Sequence, residues 1–176
     1  MNMKAILMGA AAMVCAVTFG EGSLIENGRL NTRKSMRTTS KKMVAKKLAD
    51  GDFLVNDNYK KNAKVYFCLF SASWCGPCRR EMPRIAKIYA DTLKNDSDVE
   101  FIHFSCDRTD DKALAWAKEN DVRFPVVKPN GGNPLRLECN GIPHIFILKS
   151  DGTLLKEGHP ASLFTEEKIE ELLESL

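Results

Sequence analysis

Two thiols separated by two residues, in the stretch Trp74-Cys75-Gly76-Pro77-Cys78, are the part of this chain best suited to chemistry. At that spacing they can close a small disulfide or open to a dithiol. They follow the apolar run Val65-Tyr66-Phe67-Cys68-Leu69-Phe70. The setting reads as strand, short turn, helix: Val, Tyr and Phe favour the strand, and Pro77 suits a first helical turn. A helix starting at the motif brings its unsatisfied N–H groups and the positive end of its dipole close to Cys75. Both favour thiolate over thiol, and the thiolate is the nucleophile of disulfide exchange. Arg79 and Arg80 add positive charge, partly screened on a helix surface. Any Cys-x-x-Cys can also be half of a zinc site, but that needs a second ligand pair at similar spacing, and the sequence has none. No metal is expected.

The elements around the motif follow from hydrophobic spacing. The first core strand, about Lys64 to Phe70, is apolar at nearly every residue, as in a central strand covered on both faces. Cys68 inside it is a packing thiol. A helix from Pro77 to about Lys94 carries Met82, Ile85, Tyr89 and Leu93 as its buried stripe and should bend at Pro83. Val99 to Ser105 is a second strand, with His103 as a structural residue. Thr109 or Asp110 caps a helix to about Asn120 with Leu114, Trp116 and Ala117 inward. Val122 to Val127 is a short strand interrupted by Pro125, and Pro134 to Cys139 suggests one or two helical turns. His144 to Lys149 and Thr153 to Glu157 form a hairpin about Ser150-Asp151-Gly152. A last helix starts near Thr165, with Ile169, Leu172, Leu173 and Leu176 on its apolar face.

Size and composition narrow the class. The 176 residues suffice for one domain with extensions. A net charge of +3 makes no case for nucleic acid, and six cysteines are too few for a disulfide scaffold in a chain this long. Lys4 followed by the apolar run Ala5 to Val17 and small residues is a secretory signal pattern, too short for a membrane span. Cleavage fits after Ala16 or Gly20. A lipid anchor on Cys15 is disfavoured by Val14 before it, and an uncleaved anchor is a further alternative. Export, periplasmic or secreted, places the dithiol where disulfides form. Gly28 to Ala49 is basic and holds no acid; its first half reads as a linker. Met43, Val44, Lys47 and Leu48 fit one face of a short helix. A solvated lead-in is favoured over a patch for anionic lipid or an acidic partner. The expected organisation is a signal peptide over 1–20, a basic linker with a lead-in helix over 21–62, and a folded domain over 63–176.

From about Lys64 to Lys156 the chain resembles the thioredoxin fold, an α/β architecture with a central mixed sheet flanked by helices. Trp74 to Cys78 matches the thioredoxin active-site pentapeptide in full. Pro83 matches a proline that kinks the family's active-site helix, and Gly141-Ile142-Pro143 resembles the loop that bears its cis-proline. Phe70-Ser71-Ala72-Ser73-Trp74-Cys75 and Phe104-Ser105-Cys106-Asp107 are most similar to the tryparedoxin and nucleoredoxin branch, or to exported thioredoxin-like thiol-disulfide oxidoreductases. The resemblance implies an enzyme that reduces protein disulfides, with Cys75 as nucleophile and Cys78 as resolving thiol. It implies that Ile142 and Pro143 dock an extended substrate segment. Trp74 is then either a substrate contact or a packing platform. No cofactor is implied. The expected partners are protein disulfide substrates and a membrane or soluble protein that regenerates the dithiol, with the chain itself a monomer.

One departure matters. The family's buried aspartate, which assists proton transfer at the deeper cysteine, falls on Leu69. The proton route then passes to Glu100, His144 or water. His144, where many relatives carry threonine, can tune the thiolate, touch substrate or occupy a tolerant surface. Gly-Pro between the cysteines and Ile142 before Pro143 are features of reducing members; oxidising members carry histidine between the cysteines. An oxidase or isomerase is the main alternative. A non-catalytic binding module is disfavoured because both cysteines are kept, and copper handling by the two-residue spacing. Cys106 and Cys139 are packing thiols by default, with a second bridge as the alternative.

Overall fold

The strand that leads to the two cysteines, Val65–Ser71 (β2), is buried at all seven positions. Such burial needs cover on both faces, and the chain supplies it from both sides of the sequence. The computed structural model describes residues 43–49, 53–129 and 133–175. The expected signal peptide and most of the basic linker lie outside the described residues.

In chain order the elements are helix Met43–Ala49 (α1), strand Phe53–Val55 (β1), β2, helix Gly76–Ile88 (α2) continued by a π-helical turn Tyr89–Leu93, and strand Val99–Ser105 (β3). Helix Asp110–Glu119 (α3), strand Val126–Val127 (β4), strand His144–Lys149 (β5) and strand Leu154–Gly158 (β6) follow. Two helices, Pro160–Leu163 (α4) and Glu166–Glu174 (α5), complete the described chain. One mixed sheet runs β1-β4-β3-β2-β5-β6. At its centre β2 is parallel to β3, with Ser71 opposite Ser105, and antiparallel to β5, with Phe70 opposite His144.

Alternation along the strands divides the core into two layers. Val65, Phe67 and Leu69 join Phe101, Ile145 and Ile147 beneath α2, α3 and α5. There the rings of Phe101, Phe124 and Phe164 pack with centroids 4.6 and 4.8 Å apart. Tyr66, Cys68 and Phe70 face the other way, with Ile102, Phe104 and Phe146, under Val44 and Leu48 of α1 and Leu135. Helix Met43–Ala49 and strand Phe53–Val55, both in the expected lead-in, pack on the sheet, the helix through Val44 and Leu48 and the strand at its edge. The strand is legible only through its partner: Phe53 pairs with Val127, far along the chain.

Three local differences have physical causes. Pro134 to Cys139 forms no helix. Arg136 has φ 54°, and the Asn133 side chain takes Leu137 N–H at 3.2 Å and donates to Leu137 C=O, so these backbone groups are satisfied without a helical turn. Only Val126–Val127 of the 122–127 segment pairs as strand, because Pro125 has no N–H; its carbonyl accepts from His103 N–H at 2.9 Å. The single-turn α4, capped by His159 with Pro160 in its first turn, has no periodic signal and goes unforeseen.

Candidate active site

The end of β2 turns directly into α2. Cys75 N–H donates to Ala72 C=O at 3.2 Å, and Cys75 is the residue that caps the helix. Its Sγ lies 3.2 Å from Cys78 N–H. The helix therefore offers a free first-turn amide to that sulfur, which favours a thiolate once the pair is reduced. Cys75 and Cys78 are joined by a disulfide with Cα atoms 5.2 Å apart. Both cysteines are buried, Cys78 the more deeply, while Gly76, Pro77, Arg79 and Arg80 are exposed around them.

The loop before β5 closes the site from the other side. The Ile142–Pro143 peptide bond is cis, and Ile142 C=O lies 3.5 Å from Cys75 Sγ. A backbone carbonyl at that place can accept from the Cys75 thiol or pair with an extended chain laid across it. The loop lines a cleft of about 490 Å³ together with Glu138, His144 and Glu157. His144 turns to Glu157, Nε2 to Oε2 at 3.3 Å, with its ring against Phe146. It lines the groove beside the sulfurs and bonds to neither. Trp74 stands 63% exposed, its Nε1 donating to Cys106 C=O at 3.1 Å, so the indole is both held and open to solvent.

Two polar clusters beneath the motif escaped the sequence. Asp107 accepts from Ser73 N–H at 3.1 Å, from Ser73 Oγ at 2.6 Å and from Ser105 Oγ at 3.1 Å. It pins the turn just before the nucleophilic pair to the end of β3. Asp107→Ala leaves those donors without an acceptor in a nearly closed site. Its expected cost is about 2–4 kcal/mol of folding stability, read from denaturant unfolding. An unchanged midpoint would show that the turn is held by something else. The second cluster joins Ser71 Oγ to His103 Nε2 at 2.8 Å, with the imidazole edge-on to Trp116. Burial pushes His103 down to about 4, so the ring is neutral near pH 7.

The register also decides between proton routes. Leu69, at the position of the family's buried aspartate, is fully buried with His103 directly opposite. Glu100 is opposite Tyr66, five residues before the end of β2, about 16 Å along the sheet from Ser71. Its side chain also faces the layer away from α2, among Tyr59, Tyr66 and Cys68. Glu100 is thus excluded as a proton carrier for Cys78, on grounds of both end and face.

Cys68, Cys106 and Cys139 are free. Burial raises the Cys68 thiol far above its ordinary value and Cys106 to about 11, with the nearby charges of Cys139 and Asp107 adding to the latter. Cys68 and Cys106 are poor nucleophiles next to a helix-capping sulfur. Among the described residues no group of His, Cys, Asp and Glu has the arrangement of a metal site.

A disulfide at the start of a helix, on a mixed sheet, facing a cis-proline loop, defines a thioredoxin-type redox site. The chain belongs to the thioredoxin-like family, whose description matches residues 62–154. It is 30% identical over 114 residues to thiol-disulfide oxidoreductase ResA of Bacillus thuringiensis subsp. konkukian, covering 64% of each chain. It therefore spans about 64% of that relative's length. Against nucleoredoxin 1 of Arabidopsis thaliana it is 28% identical over 130 residues, 68% of this chain and 22% of that one. The solved thioredoxin from Wuchereria bancrofti is similar at a TM-score of 0.51 and 27% identity, covering 65% of this chain and 83% of that one.

Proposed function

We propose that this protein is a thiol-disulfide oxidoreductase that reduces disulfides of other proteins. The observation that carries it is the Cys75–Cys78 pair at the helix start, with Cys78 N–H on one side of Cys75 Sγ and Ile142 C=O on the other. In the dithiol state Cys75 is the nucleophile. Its thiolate attacks one sulfur of a substrate disulfide, forms a mixed disulfide and releases the other sulfur as a thiolate. Cys78, one helical turn deeper, then attacks Cys75 Sγ and releases the second substrate thiol. Two electrons pass to the substrate, and the proton lost by Cys78 balances the one gained by the departing thiolate. The substrate chain lies extended along Ile142 and Pro143. Arg79 and His144 tune the sulfur from outside, through charge and through the groove wall.

Gly76-Pro77 between the sulfurs, with no histidine to stabilise the thiolate further, favours the reducing direction. Lys4 and the apolar run Ala5 to Val17 support export, with a regenerating redox protein in or at the membrane and the chain acting as a monomer. No helix among the described residues is long and apolar enough to cross a membrane.

Equilibration of the pair against glutathione and dithiothreitol mixtures tests the reading. A potential near the thioredoxin end, about −270 mV, is the expected result. A value near −120 mV would make the protein an oxidant of newly exported chains. Failure of the bridge to form at any poise would overturn the enzyme altogether.

A further inference from the structure

The two flanks of the sulfurs differ in charge. On the Ile142 side the cleft is walled by Glu138 and Glu157, with His144 and His159. On the Trp74 side lies a second cleft, about 580 Å³, lined by Ser73, Trp74, Arg108, Lys112, Trp116 and Glu119. Arg108 and Lys112 are exposed, and neither forms an ion pair among the described residues. Glu119 closes the far end: it is seven residues beyond Lys112 on α3, about 10 Å along the helix. Asp110 and Asp111, in the first turn of the same helix, are not part of the wall. Asp107 lies beneath Ser73, 6% exposed and bonded to Ser73 and Ser105, so the charges open to solvent beside the indole are those of Arg108 and Lys112.

Trp74 is the most exposed large apolar side chain among the described residues, and its Nε1 bond to Cys106 C=O holds the ring in place. A held aromatic face beside two unpaired cations is a wall that can take a peptide backbone and its carboxylates together. Arginine supplies a planar fork matched to carboxylate, and lysine a mobile point charge. We propose that this cleft receives an acidic segment flanking the reactive cysteine of the protein substrate. Its carboxylates pair with Arg108 and Lys112 while its chain lies on the Trp74 indole. The carboxylates on the Ile142 side repel the same segment, so the charge difference also sets which flank goes where. This assignment rests on the disulfide-exchange activity proposed above.

The test compares short disulfide-linked peptides that differ only in the flank of the cysteine: aspartate-rich, serine-rich or lysine-rich. In single-turnover mixing with the reduced wild-type protein, the second-order rate constant for the acidic flank is expected to exceed the neutral one by about 5–10-fold at low salt. That advantage should fall toward parity at about 0.5 M salt. In the double variant Arg108→Glu, Lys112→Glu the order should invert in favour of the lysine-rich flank. The neutral peptide should be reduced at a rate within about twofold of wild type, which also reports that the variant is folded. Equal loss on all three peptides in the variant, or no preference in the wild type, would overturn the assignment while leaving the exchange activity intact. A wild-type protein that reduces none of the three would overturn the exchange activity, and this assignment with it.

Discussion

Cys75→Ser is expected to lower disulfide reduction by on the order of 10³-fold or more, to the level of the uncatalysed exchange. The serine hydroxyl keeps the helix-capping position, so the fold should persist. What is lost is a sulfur whose thiolate can attack a disulfide. Cys78→Ser separates the two halves of the reaction. Cys75 there stays at the helix start with its amide partner 3.2 Å away, so the first exchange still proceeds. Without a resolving thiol the mixed disulfide accumulates and is visible by mass as one substrate chain per protein. The free cysteines among the described residues provide a control. Cys68 and Cys106 are held protonated by burial and Cys78 is only 1% exposed, so Cys75→Ser should trap far less substrate than Cys78→Ser. Equal trapping by Cys75→Ser and Cys78→Ser would place the nucleophile elsewhere.

What the sequence makes legible, and what it hides, follows from the range over which each residue acts. Val65 to Phe70, Pro77, the Thr109 and Thr165 caps and the Asp151-Gly152 turn all act on neighbours a few residues away. Each appears where local chemistry places it: Thr109 Oγ accepts Lys112 N–H, Thr165 Oγ accepts Lys168 N–H, and Gly152 takes φ 87° in the hairpin. Asp107 acts on Ser73, 34 residues earlier, and nothing in the spacing announces it. The same holds for β1, whose three residues become a strand only against β4. Ile142-Pro143 was legible as a motif, but the approach of its carbonyl to Cys75 spans 67 residues and needed the fold. Glu100 shows the limit most sharply. From sequence it is one of three proton routes, with His144 and water, and only strand register sends it to the opposite end of the sheet.

At that opposite end Glu100 is expected to make stability depend on pH. The residue is fully buried. Burial raises its carboxyl from an ordinary 4.5 to about 7, against the opposing pull of the Lys60 and Phe101 amides and the Lys60 ammonium. Lys60 donates its Nζ to Leu93 C=O at 2.6 Å and Val99 C=O at 3.0 Å, so it does not neutralise the acid by direct contact of the charged groups. Because the folded value lies above the unfolded one, the protonated acid favours the fold. That contribution is whole below about pH 4.5 and is lost as pH rises to about 7. A gap of about 2.5 units corresponds to about 3 kcal/mol, a large share of a small domain's stability. Glu100→Gln should remove this slope. Its amide NH₂ must face one of the two backbone donors, Lys60 N–H or Phe101 N–H, which offsets part of any absolute gain. The readout is therefore the difference between wild type and variant in denaturant-derived stability, measured from pH 4.5 to 7.5. Wild type should weaken relative to the variant across that window. Parallel curves would place the Glu100 carboxyl at its ordinary value and its charge in a wetter site than the fold provides.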